Sequence, residues 1–158
     1  MPVKINDEQR DILEFAKHNP VGVLATASKH SVPHAAAVFY VLDEDMNVYF
    51  ITKEETKKFR NLRENHHVSL AAYKESSQTT LQIIGEAQHV KDVDMFIDVF
   101  ENIIDICAKN TKSDRLPVSK LFAGDYYLYQ IKPSTMRLAE YLRPDQGNLM
   151  GLFELIKP

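Results

Sequence analysis

The sequence predicts a mainly β domain, an antiparallel sheet or barrel with its helices on the outside. Three observations lead there. Five runs of strand composition fall before residue 91, a helical period takes over from Asp92, and strand composition resumes at Asp125. Strands grouped early, one helix inserted and strands resumed argue against alternating βαβ units and for an antiparallel arrangement. Closure into a barrel would also protect the strand edges.

Taken in order, "NDEQRDILEFAKHN" opens with an Asn or Asp cap and places Ile12, Leu13, Phe15 and Ala16 at helical spacing. "PVGVLATAS" and "PHAAAVFYVLDED" are apolar runs separated by "KHSV", the pattern of two antiparallel strands and a turn. "EDMN" turns the chain into "VYFIT". After a basic helix come "HVSLAAY" and "TTLQIIGEAQHV", rich in β-branched or aromatic residues and separated by the polar "KESSQ". From Asp92 to about Lys109, Val93, Phe96, Ile97, Phe100, Ile103, Ile104 and Cys107 recur at three-and-four spacing, which predicts a long helix. Met95, Val99 and Ile106 widen its stripe enough to reach a second subunit as well as its own core. "KSDRLPVSKLFA" reads as a loop with a helical turn. "DYYLYQIKP" and "TMRLAEYL" read as two strands around a Lys-Pro turn, and "NLMGLFELIKP" as a last strand or tail.

At 158 residues the chain suits one domain, 1–158, burying roughly 70% of its unfolded surface. A formal net charge of -3 gives no global attraction to polyanions, which argues against nucleic acid as a partner and for a small anion if any. The single cysteine, Cys107, lies inside the apolar repeat "FIDVFENIIDIC" and reads as a buried, inert thiol in a reducing, cytoplasmic protein. No run approaches the ~18 apolar residues of a membrane span, and "MPVKINDEQR" is too polar to open a secretory signal.

Several chemistries lack their motifs. The five glycines form neither a dinucleotide fingerprint nor a phosphate loop of the Walker type. His30 and His34 flank Pro33, and His66 and His67 are adjacent, so neither pair shares a helix face, and no metal site is expected. No Gly-x-Ser-x-Gly elbow supports a hydrolytic nucleophile.

What stands out is "FITKEETKKFRNLRENHH", which packs Lys53, Lys57, Lys58, Arg60 and Arg63 after an apolar run. Thr52 and Glu55 have the spacing of a capping box, so a helix is expected immediately after "VYFIT". Its first turn would carry unsatisfied N–H groups and the positive end of the dipole, both of which favour a phosphate, with Lys57 and Lys58 beside it. The same charges equally suit a solvated helix with Glu54–Lys58 and Arg60–Glu64 pairs.

The order of these motifs resembles the FMN-binding split barrels related to pyridoxamine 5'-phosphate oxidase. "VGVLATAS", "VPHAAAVFYVLDED", "VYFITKEETKKFRNLRENHHVSLAAY" and "LQIIGEAQHV" look like that family's first five strands, over roughly residues 15 to 91. The resemblance implies an antiparallel split β-barrel of six or more strands with flanking helices, FMN as cofactor, and a homodimer with its two cofactor sites between subunits. In "ITKEETKK" it implies that Thr52, Thr56, Lys57 and Lys58 grip the FMN phosphate. The family's oxidases carry an arginine and a lysine in the second strand; "HAAAVFYV" has neither, so contact through Ala35, Ala36, Ala37 and Val38 would use backbone and small side chains. A family glutamine near the flavin aligns with Thr80, and Gln82 follows two residues on, on the same strand face.

The Arg-x-His motif that holds pyridoxal in the oxidases is absent from "MRLAEYLRPDQGNL", so the resemblance supports scaffold and cofactor more than vitamin B6 oxidation. Since flavin carries its own redox chemistry, an oxidoreductase acting on a small molecule needs no acid-base pair visible in the sequence, and no catalytic residue is assigned. The rival readings are a deazaflavin-dependent reductase and a non-catalytic flavin- or haem-binding module, with His34, His66 and His67 as the histidines to test for iron.

Overall fold

The computed structural model describes residues 5–111, 124–141 and 154–156. Its elements are α1 (Asp7–His18), β1 (Val21–Ala27), β2 (Pro33–Leu42), β3 (Val48–Lys53), α2 (Lys57–Glu64), β4 (His67–Lys74), β5 (Thr79–Val90), α3 (Val93–Thr111), β6 (Tyr126–Glu140) and β7 (Glu154–Ile156). The five early strands, the long helix and the return to strand all form as the sequence predicts. The helical turn expected in 112–123 lies outside the described residues.

All strands belong to one antiparallel sheet in the order β3-β2-β1-β4-β5-β6-β7, and β3 also pairs with β6. That last pairing, Val48 opposite Ile131 through Lys53 opposite Tyr126, closes six strands into a barrel. Alternation then sorts the side chains. Leu24, Val38, Tyr40, Phe50, Leu70, Leu81, Ile83 and Ile131 point inward and are buried. One end of the barrel is covered by α1, whose Asn6 and Gln9 form a reciprocal capping box and whose Ile12 and Ala16 join the interior. β1 starts beside α1 and runs to the opposite end, where Thr26 meets α2.

A second cluster forms where α3 covers the outer face of β2, β3 and β6, burying Ile103 and Cys107 against Tyr49, Ile51 and Leu128. The expected stripe is rotated: Phe96, Val99, Phe100 and Ile104 pack inward, while Val93, Met95 and Ile97 remain exposed. No helix among the described residues is long and apolar enough to cross a membrane.

One expectation fails. The Lys-Pro step is no turn, because β6 runs unbroken through it for 15 residues. A bulge absorbs the proline: Gly85 pairs with Pro133, Ile84 with Thr135, and Ser134 is left over, its hydroxyl donating to the Ile84 carbonyl at 3.1 Å. Gly85 is required there, since a Cβ would lie 2.9 Å from the Pro133 Cα and overlap the Lys132 carbonyl. Gly85→Ala is therefore expected to lower unfolding free energy by roughly 2 kcal/mol or more, as overpacking against backbone does, measured by urea titration. A change within error would show that the bulge relaxes freely.

Candidate functional site

The basic stretch starts at the end of β3, where all six residues are buried, including Thr52. The helix does not follow at once. Glu54 and Glu55 form a turn, closed by the Thr56 N–H donating to the Lys53 carbonyl at 3.1 Å, so that Thr56 and not Thr52 is the cap of α2. Its hydroxyl donates to the Lys53 carbonyl at 2.8 Å and accepts from the Phe59 N–H at 3.2 Å. That hydroxyl proton is thereby spent, so the 2.8 Å contact between the two threonine oxygens is a donation from Thr52 to Thr56. Thr52 supports the cap from beneath instead of forming it.

With only eight residues, α2 is too short to be stable alone. Burial of Phe59 and Leu62 in the barrel interior holds it, contributing roughly 2 kcal/mol each. The ring of Phe59 lies 4.5 Å from that of Tyr127. This anchoring presents the first turn of α2, with the N–H groups of Lys57 and Lys58 free of intrahelical acceptors.

The five basic residues then separate. Lys57, Arg60 and Arg63 are exposed. Lys53 is buried at 5% exposure, its Nζ 4.0 Å from a Glu55 oxygen and 5.2 Å from the centre of the Tyr126 ring. Lys58 is buried at 7% exposure, yet among the described residues it has neither an ion pair nor a hydrogen bond. The Glu54–Lys58 pair does not form because Glu54 lies before the helix. Desolvation without a counter-ion pulls the Lys58 pKa below its ordinary value. A buried cation with no anion is a defect in the protein by itself and an advantage once an anion arrives.

Next to Lys58, three residues further along the same face of α2, Asn61 is buried and donates to the Thr26 hydroxyl at 3.0 Å. Thr26 pairs across the sheet with His34, whose Nδ1 is buried without a partner among the described residues. Sequence reasoning missed Thr26 and Asn61. They lie 35 residues apart, and only strand register brings them together.

The remaining predicted residues divide between faces and regions. Ala35 and Ala37 are exposed on the outer face of β2, Ala36 is half-buried and Val38 is buried inside. All four lie on a strand against which α2 packs. Thr80 and Gln82 share the outer face of β5, half-buried and exposed respectively. Gln82 lies in one cross-strand row with Ala71, Val23 and Ala37, so three strand spacings, roughly 14 Å, separate it from Ala37 within one chain. The structure thus brings Thr52, Thr56, Lys57 and Lys58 together beside β2 and leaves Thr80 and Gln82 apart.

What this arrangement fits is a phosphate monoester: the free N–H groups of a helix N-terminus and a lysine with no pair among the described residues converge, and no bound anion is needed to hold them there. Among the described residues no group of three or more His, Cys, Asp or Glu side chains gathers to hold a metal.

Known proteins share this fold. The family model described as "Pyridoxamine 5'-phosphate oxidase" matches residues 6–137. A comparison with curated proteins finds no match. Among solved structures, a candidate pyridoxamine 5'-phosphate oxidase from Listeria innocua is 22% identical, covering 84% of this chain and 98% of its own, with a TM-score of 0.65. A pyridoxamine 5'-phosphate oxidase-related, FMN-binding protein from Nostoc punctiforme PCC 73102 is 14% identical, covering 99% of this chain and all 100% of its own, at 0.60. A heme-binding protein from Mycobacterium smegmatis is 14% identical, covering 98% of this chain and 60% of its own, at 0.66.

The desolvated lysine has a measurable cost. In the ligand-free protein Lys58→Met is expected to raise stability by about 1 kcal/mol near neutral pH, because it removes an uncompensated buried charge. The folded-state pKa of Lys58 lies below the 10.5 of the unfolded chain, so the cost is complete at low pH and is relieved as pH rises through the folded value toward 10.5. Thermal melts across pH 7 to 10.5 should show the advantage of Lys58→Met shrinking as pH rises. A mutant destabilised at every pH would mean that Lys58 is paired in solution.

Proposed function

Because the chain belongs to the pyridoxamine 5'-phosphate oxidase family, we propose that it binds FMN and acts as a flavin-dependent oxidoreductase on a small molecule, as a cytoplasmic homodimer. The observation that carries this reading is Lys58, a buried cation at the start of α2 without a partner among the described residues. In this reading the phosphate sits at the first turn of α2, held by the N–H groups and side chains of Lys57 and Lys58, with Thr52 and Thr56 fixing the cap. β2 offers Ala35 and Ala37, whose small side chains let a flat ring approach the strand, with Ala36 and Val38 behind them. FMN, once bound, supplies the hydride or electron transfer. The chain's own part is to hold the phosphate, orient the ring and limit what reaches it.

Support for the dimer comes from the sheet face that no helix covers. Val23, Tyr73 and Ile84 are 48%, 59% and 54% exposed on the outer face of β1, β4 and β5, with Ala25, Ala35, Ala37 and Ala71 between them. Apolar and small residues in contiguous rows suit a second copy of the same surface. A partner seated there also resolves the roughly 14 Å gap of three strand spacings, since Thr80 and Gln82 of one subunit would then serve the cofactor of the other.

Two experiments test this. Purified protein is expected to show a flavin spectrum and to release FMN on denaturation, or to take up FMN when it is added; a Soret band or a released deazaflavin would replace FMN with another cofactor. Changing Lys57 and Lys58 together to Ala should weaken FMN binding by at least ~100-fold while leaving the circular dichroism unchanged, as loss of two charge-assisted contacts requires. Unchanged flavin content would overturn the phosphate assignment. For the dimer, Ile84→Glu should halve the mass seen by analytical ultracentrifugation, and a wild type that sediments as a monomer would remove this part of the proposal.

A further inference from the structure

We propose that His34 is an additional contact to the phosphate end of the cofactor, reached from β2 while Lys58 reaches it from α2. This rests on the FMN reading above and adds to it a residue that neither the basic stretch nor the small residues of β2 point to. Three observations converge. The Nδ1 of His34 is buried and has no hydrogen-bond partner among the described residues. His34 lies opposite Thr26 in the β1–β2 ladder, and Thr26 is bonded to Asn61 of α2, which fixes this rim of the barrel against the helix. Asn61 in turn shares its helix face with Lys58, the buried cation that also lacks a partner among the described residues.

A buried imidazole nitrogen and a largely buried ammonium, neither with a partner among the described residues, are therefore linked by one short path, His34 to Thr26 to Asn61 and one helical turn back to Lys58. An ammonium offers only donors, so a ligand that completes it must be an acceptor. The imidazole, as the tautomer protonated on Nδ1, is a donor too. A phosphate oxygen is the group that satisfies both at once, and no apolar or cationic ligand does so. The hydrogen bond between Asn61 and Thr26 keeps β1, and through the ladder β2, at a fixed distance from α2.

The test separates the phosphate from the rest of the flavin. Flavin-free full-length protein is titrated calorimetrically with FMN and with riboflavin, which lacks the phosphate. His34→Ala should weaken FMN binding by about 10-fold, the worth of one charge-assisted hydrogen bond, and leave riboflavin binding within about 2-fold. His34→Asn, whose amide nitrogen falls near the position of Nδ1, should recover most of the loss, while His34→Gln should not. A loss shared equally by FMN and riboflavin would make His34 a structural residue and overturn the proposal. So would wild-type affinity for FMN in His34→Ala, with the function reading left standing. A wild type that binds neither flavin would overturn the function reading itself, and this assignment with it. A Soret band lost in His34→Ala would make His34 an iron ligand instead. If His34→Ala fails to fold by circular dichroism, the contrast between the Asn and Gln variants decides.

Discussion

Pairing of β3 with β6 is the constraint on which the rest of the structure depends. It joins strands far apart in sequence and converts an open antiparallel sheet into a barrel with an inside, an outside and two ends. Once closed, alternation assigns every strand residue to one side, and the inward set makes a continuous apolar interior. The two ends need covers, which α1 and α2 supply. β3 is buried on both faces because α3 packs over its outer side. The chain leaving β3 therefore emerges from a rigid strand, and the cap at Thr56 is positioned by the barrel more than by its own loop.

That rigidity explains how a lysine comes to be buried without a partner among the described residues. The docking of α2 is decided by Phe59 and Leu62, and Lys58 is carried into the rim by their burial. The helix cannot rotate to expose Lys58 without withdrawing those apolar side chains, a larger loss than the charge inflicts. Lys53 shows the alternative solution a few residues away: buried as deeply, it keeps Glu55 and the face of Tyr126. Two lysines five residues apart are thus buried to a similar depth in opposite electrostatic settings, one beside a carboxylate and an aromatic face and one beside neither.

Much of the fold was legible because its signals are local. Five strands, the period change at Asp92 and the caps of the first helix follow from neighbouring residues. The barrel was legible only as a consequence of strand order and of family resemblance, since no local pattern reports that β3 meets β6. Local reading failed where two signals compete. Thr52 and Glu55 satisfy the spacing of a capping box, but Thr56 lies closer to the helix and its hydroxyl is better placed to accept from the Phe59 N–H. Pro133 has the composition of a turn, yet a glycine on the facing strand lets a bulge absorb it. At the site, Lys57 and Lys58 were readable from charge and order, whereas the difference in burial between Lys53, Lys58 and Arg60 depends on which way each strand and helix faces. Thr26, Asn61 and the orphaned nitrogen of His34 depend on register and had no sequence signal.

The same bulge has a bearing on how the sheet avoids pairing with other chains. One edge of β6 is shared: β3 occupies it as far as Ile131, and β7 takes it up again at Met136. Between them, residues 132–135 meet no described strand on that side. An uncovered stretch of edge is a template for strand addition, the first step of aggregation. Here Pro133 has no N–H to offer, Lys132 is an exposed charge and Ser134 breaks the regular spacing of the ladder. The residues that let one long strand serve two neighbours also make the interval between those neighbours a poor landing place for a third.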